Sequence, residues 1–180
     1  MIDKNLEERL ENIRHKALLS RQNPLDPRGS LDREASERIS YKSEIQEARN
    51  YLATDKNESV AAINLIAEVG GFEDIPLLKE IVRNRNYLPQ CLAAVAGLSV
   101  IGGPSAAKVM SEILTNPLEL LELRYEALLG LLDLTVGGWD SYLMGTGRIA
   151  MPDYLRTMFE SLRDDTAIGK EIQKSLLYFD

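Results

Sequence analysis

The chain has 180 residues, 44% hydrophobic and 27% charged, with a net charge of −7, one cysteine and one histidine. A single cysteine excludes an intramolecular disulfide, and one histidine with one cysteine cannot fill the usual zinc ligand sets. Residues 1–57 carry eleven basic and eleven acidic side chains, so the whole excess falls on residues 58–180; clustered phosphate contacts are disfavoured, and charge points to a basic protein partner rather than nucleic acid.

Residues 3–19 are predicted as an amphipathic helix, with Leu6, Leu10, Ile13 and Ala17 on one stripe and Asp3 as its N-cap. This N-terminus is charged from Asp3 onward, so no signal peptide is expected. Ser20 to Asp32 holds two prolines and a glycine and reads as a loop. A second helix is predicted over 33–53, with Ala35, Ile39, Ile45, Ala48 and Leu52 on one side. The longest uncharged stretch, Asn86 to Ala107, is broken by Pro89, Gly102, Gly103 and Pro104. It reads as helix–turn–helix, not as a membrane span. A cytoplasmic protein is expected.

A self-match at a spacing of 32 follows. Gly70-Gly71 recurs as Gly102-Gly103; Ala62, Ile63, Ile66 and Val69 recur as Ala94, Val95, Leu98 and Ile101. Beyond the glycines, Leu77, Leu78, Ile81 and Val82 become Val109, Met110, Ile113 and Leu114. Such a register marks a copied two-helix unit that must stack on its neighbours to bury its apolar face. The first unit pairs helices over 58–69 and 73–84, and the second pairs 89–101 and 104–115. At the first join, Gly70-Gly71, a left-handed C-cap is cheapest for glycine; at the second, Gly102-Gly103, Pro104 suits a first helical position. Asn116-Pro117 opens a third first-helix over about 117–135. There Arg124 to Leu131 aligns with Cys91 to Leu98 at a spacing of 33, placing Ala127 on Ala94 and Gly130 on Gly97. Small residues in these columns let paired helices approach closely.

The third unit then breaks pattern. Gly137 to Arg148 holds four glycines in twelve residues and does not propagate a helix well. Met151-Pro152-Asp153 restarts one to about Arg163, and a last helix runs from Thr166 to Tyr178. About nine helices and no strand are predicted.

The glycine-terminated helix pairs, the Ala-x-x-x-Leu spacing and the segment Arg124 to Leu131 resemble HEAT repeats. The short period is most similar to the subgroup named after phycobiliprotein chromophore lyases. The resemblance covers about Glu58 to Gly138. It implies an all-α, right-handed α-solenoid of HEAT-like helix pairs with N- and C-terminal capping helices. The chain is then a single domain: capping helices over 1–57, repeats over 58–138, and an irregular loop with capping helices over 139–180. It departs from the family in lacking most inter-repeat aspartate and arginine, since Ser59 and Cys91 stand in the column of Arg124.

Chemistry-bearing patterns are sparse. His15 lies between Arg14 and Lys16 on a charged helix and reads as solvated. Cys91 reads as a packed thiol. The carboxylate pairs Glu73-Asp74 and Asp164-Asp165 stand at predicted helix starts, where capping explains them. Gly145-Thr146-Gly147 lacks the third glycine and preceding strand of a dinucleotide loop. Lys79, Arg83 and Arg85 read as a solvated helix end.

No catalytic, metal or cofactor site is therefore expected. The expected function is a non-enzymatic protein-binding module for a basic partner, in its most concrete form an acidic immunity or inhibitor-type protein. The resemblance implies one enzymatic alternative, a bilin chromophore lyase or lyase subunit. Another, a HEAT-like DNA glycosylase, conflicts with the acidity. Two groups of binding residues are expected. Trp139, Asp140, Tyr142, Met144 and Arg148 belong to the glycine-rich segment, whose residue types suit interface centres; the competing reading folds Trp139 back as a cap on the third repeat. Glu73, Glu80, Arg83, Lys108 and Glu112 lie on the second helices, which line the concave face of such a solenoid.

Overall fold

The computed structural model describes residues 8, 11, 12, 41–53, 60–84, 87–135, 151 and 153–179. These residues are all-α: eight α-helices and one 3-10 turn occur among them, and no strand. They fall into two compact units, Met1–Ala106 and Ala107–Asp180, each described by itself below.

The first unit holds α1 (Lys42–Leu52), α2 (Val60–Val69), a 3-10 turn (Phe72–Asp74), α3 (Ile75–Asn84), α4 (Leu88–Ile101) and the start of α5 (Gly103–Thr115). Helix α1 buries Ile45 and Ala48 of its predicted stripe and leaves Leu52 half-buried. Helix α2 is apolar almost all round, and buries Ala62, Ile63, Leu65, Ile66, Ala67 and Val69. That composition suits a helix covered on two sides, and α2 packs against both α1 and α4. Helix α3 is amphipathic, burying Ile75, Leu78, Ile81 and Val82, and it also packs on α4.

Gly97 sets how closely α4 sits. A Cβ placed there would lie 3.1 Å from Ala67 Cβ and 3.3 Å from Leu78 Cδ1. The small-residue column predicted from the repeat is therefore a real contact between α4 and both helices of the preceding pair.

The glycine pairs end their helices with matching bonds at equivalent places in the repeat. Gly70 N donates to the Ile66 carbonyl at 2.8 Å, and Gly102 N to the Leu98 carbonyl at 2.9 Å. Only the second pair is left-handed, with φ of 72° at Gly102 and 78° at Gly103. Gly71 is extended at φ −149°, which corrects the expectation of a left-handed cap at the first join. What requires glycine at the first join is space. A Cβ on Gly70 would run into the Ile66 carbonyl oxygen and Asp74 Oδ2, because the Asp74 carboxylate folds over the turn to accept the Gly71 N–H at 3.0 Å.

The second unit holds the rest of α5, then α6 (Leu121–Thr135), α7 (Asp153–Ser161) and α8 (Gly169–Phe179). Met110, Leu114, Leu123, Leu128, Leu131 and Phe159 are its largest fully buried side chains, and α7 packs on α8. Two helices start later than the sequence predicts, each for a local reason. Asn116 Oδ1 accepts the Leu118 N–H at 3.1 Å and the Asn116 carbonyl accepts the Glu119 N–H. This Asx turn with Pro117 delays α6 from 117 to Leu121. Asp165 Oδ1 likewise accepts the N–H groups of Ala167 and Ile168 at 2.8 and 3.1 Å, and α8 begins at Gly169.

Gly97 supplies a direct test of the close approach. Gly97→Ala should leave stability nearly unchanged, because about 1 kcal/mol of helix propensity offsets the tight Cβ contact. Gly97→Leu should lose roughly 1–3 kcal/mol through overpacking. Urea unfolding of the two variants beside the parent measures both; equal stabilities for Ala and Leu would show that α4 does not press on Ala67 there.

Candidate functional site

Five of the expected binding residues, Trp139, Asp140, Tyr142, Met144 and Arg148, lie outside the described residues. Glu73, Glu80 and Arg83 belong to the first unit, Lys108 and Glu112 to the second. All five are exposed. Glu80 and Arg83 are neighbours on α3, and Lys108 and Glu112 are neighbours on α5, by their helical spacing. Glu73 is not on a second helix as expected. It sits in the 3-10 turn, where its Oε1 accepts a hydrogen bond from Arg49 Nη2 at 3.2 Å.

Two part-buried arginine–aspartate pairs, each with one partner fully buried, dominate the electrostatics. Arg49 Nε donates to Asp74 Oδ1 at 2.6 Å and its Nη2 to Oδ2 at 2.8 Å. The hydrogen bond to Asp74 raises the Arg49 pKa against the opposing effect of its own burial. In the second unit Arg124 Nη2 donates to Asp165 Oδ2 at 2.6 Å, while its Nε donates to the Leu114 carbonyl at 2.9 Å. The Asp165 carboxyl is lowered to about 2, first by its bond from Arg124 and then by the N–H groups of Ala167 and Ile168, despite desolvation. Each carboxylate is consumed by bonds that shape turns and hold helices. The reading of these acidic pairs as structural groups rather than acid–base catalysts is what this geometry supports.

The column of Arg124 now acquires a role. Cys91 stands one repeat ahead of Arg124 in that column, and its Sγ donates to the Ile81 carbonyl at 3.6 Å. In the 32-residue register of the second helices Leu114 falls on Val82, one position beyond Ile81. A thiol and a guanidinium thus each reach a backbone carbonyl near the end of the preceding helix, at repeat positions one residue apart.

An outward apolar row marks the face of α6. Its inner side buries Leu123, Arg124, Ala127, Leu128 and Leu131. Its outer side exposes Leu121, Tyr125 and Leu129 at a spacing of four, with Leu118, 85% exposed, just ahead of the helix. Next to this row run Glu122, Glu126 and Asp133. Partial burial, then the Asp133 charge, raises the Glu126 carboxyl. Arg124, the one base in α6, is buried and bound to Asp165. On α8, Lys174 feels the Tyr125 hydroxyl but is paired with Glu171 at 2.7 Å. Sequence reasoning missed this face, although leucine and tyrosine recurring at every fourth position beside a complete core stripe signal it.

No protein-family model, curated protein or solved structure matches the chain. The likeness to HEAT repeats therefore stands on the repeated residues alone. Among the described residues, no group of three or more His, Cys, Asp or Glu is placed to hold a metal ion. No described helix is long and apolar enough to cross a membrane.

The Arg124–Asp165 pair gives a pH dependence of defined sign. A carboxyl lowered from 3.8 to about 2 on folding contributes stability that is complete above about pH 4 and is lost as pH falls through about 2. The contribution is on the order of 2 kcal/mol. Urea unfolding from about pH 5 down to about pH 2 should show the gap between the parent and Asp165→Asn closing by that amount. A gap independent of pH would remove the ionised Asp165 from the account.

Proposed function

We propose that the chain is a non-enzymatic protein-binding module, built of HEAT-like repeats stacked as a right-handed solenoid, whose partner presents a basic surface. The repeat part of the reading is supported by two equivalences. Gly70 and Gly102, equivalent in the repeat, end their helices by the same bond. Cys91 and Arg124, equivalent in their turn, each reach a carbonyl near the end of the preceding helix, one repeat position apart. Stacked repeats of this kind offer extended surfaces made by neighbouring units.

One observation carries the functional part. The second unit exposes Leu118, Leu121, Tyr125, Leu129, Tyr154 and Leu177, and it belongs to the stretch, residues 58–180, that bears the whole net charge of −7. Large exposed apolar side chains grouped beside polar ones mark interaction surfaces. An uncompensated acidic field selects basic partners and steers their approach.

Affinity purification of the full chain from its native source, at low and high salt, tests this reading. The expected outcome is one co-purifying protein of positive net charge, near equimolar at low salt and depleted at high salt, where exposed charges are screened. Recovery of a bound bilin, or of acidic proteins retained equally at both salt concentrations, would overturn it.

A further inference from the structure

The outer face of α6 combines three properties that together specify an occupant. The first is a ridge. At 100° per residue, Leu121, Tyr125 and Leu129 fall within a sector of about 80°, and they rise about 12 Å along the helix. Leu118 extends the row beyond the first turn. A ridge at this spacing is what a second helix receives between its own rows of side chains.

The second property is that the ridge cannot turn inward. The opposite side of α6 is filled by Leu123, Ala127 and Leu131, and Leu128, next to Leu121 around the helix, is buried as well. Arg124 ties that side to the Leu114 carbonyl and to Asp165. Rolling α6 to hide the leucines would strip a buried guanidinium of its partners, which is strongly unfavourable.

The third property is a one-signed edge. Glu122, Asp133 and Glu126 fall about 100–140° from Leu121, directly beside the ridge. No base on α6 answers them, and the Asp133 charge adds to burial, the larger cause, in raising the Glu126 carboxyl. A cation brought to this edge relieves that repulsion. A second copy of this chain would bring the same carboxylates and no free base on α6.

We propose that the exposed face of α6 is a docking site for an amphipathic helix of a partner protein, with apolar residues on one stripe and Lys or Arg along one edge. The proposal rests on the protein-binding reading above and assigns that binding to Leu121, Tyr125, Leu129, Glu122, Glu126 and Asp133.

The test uses the full chain and a synthetic amphipathic peptide of leucine on one face, lysine along one edge and alanine elsewhere. The parent should bind this peptide, with helix gained by the peptide in circular dichroism, and should not bind the same peptide with glutamate in place of lysine. Leu121→Ser/Leu129→Ser should weaken binding about tenfold or more, as should Glu122→Lys/Glu126→Lys, with the thermal midpoint of each double variant kept because these side chains face outward. Equal binding of both peptides, no binding of either, or unchanged binding by the variants would overturn the proposal. So would sedimentation of the parent as a dimer that Leu121→Ser/Leu129→Ser dissociates, since the occupant would then be a second copy. Salt-sensitive recovery of the same native basic protein by parent and variants alike would overturn the α6 site while leaving the protein-binding reading intact.

Discussion

The first unit depends on how closely α4 can lie against the pair of helices before it. Gly97 brings the α4 backbone within contact of Ala67 on α2 and Leu78 on α3 at once. With a leucine there, α4 would lift off both. The rest of the unit follows from that approach. Helix α2 is covered by α1 on one side and α4 on another, so it needs an apolar surface nearly all round, whereas α3 keeps an exposed side that carries Glu80 and Arg83. Burial accumulates by adding the next helix, and for that reason the glycine ending each first-helix has to fall at the same place each time.

The column shared by Cys91 and Arg124 shows how one repeat position accepts different chemistry at different cost. A thiol is small, uncharged and close to apolar, so Cys91 can touch the Ile81 carbonyl and needs no counter-charge. A guanidinium buried at the equivalent place is a different matter. It is tolerable only when its remaining donors meet an anion, and Asp165 supplies that anion from far along the chain. The same Asp165 shapes the turn ahead of α8 through the Ala167 and Ile168 N–H groups. One carboxylate therefore links α6 to the start of α8. Such a pair contributes less through net energy than through allowing only one arrangement of the elements it joins. Arg49 and Asp74 do the same between α1 and the 3-10 turn.

These pairings explain what could be read from the chain and what could not. The helix pairs, the joins at Gly70 and Gly102 and the small column at Gly97 were legible, because each is written in local pattern repeated at a constant spacing. The partners of Arg49 and Arg124, Asp74 and Asp165, stand at sequence separations unrelated to the repeat, so alignment of columns suggested that such pairs were largely missing. Helix starts were displaced wherever a side chain captured the backbone first, as Asn116 and Asp165 do. The left-handed geometry expected at Gly70-Gly71 failed for a related reason: the Asp74 carboxylate organises that turn, leaving glycine there to give room rather than a positive φ. The binding residues fared less well. The segment from Gly137 to Arg148 lies outside the described residues, and the face of α6 was hidden by its own repeat assignment, which accounted for Ala127 and Gly130 and drew attention to the inner side.

That outer face also bears on why an acidic excess accompanies so many exposed leucines. An apolar ridge exposed to water invites its own copies as readily as any partner. A row of carboxylates along its edge changes the balance, since every copy brings the same sign to the contact while a basic partner brings the opposite one. The discrimination comes from a repulsive element as much as an attractive one. Glu122, Glu126 and Asp133 sit beside the ridge rather than across the helix from it, which is where they can act on whatever covers Leu121, Tyr125 and Leu129. Three of the carboxylates behind the net charge of −7 thus stand directly beside apolar side chains that α6 leaves uncovered.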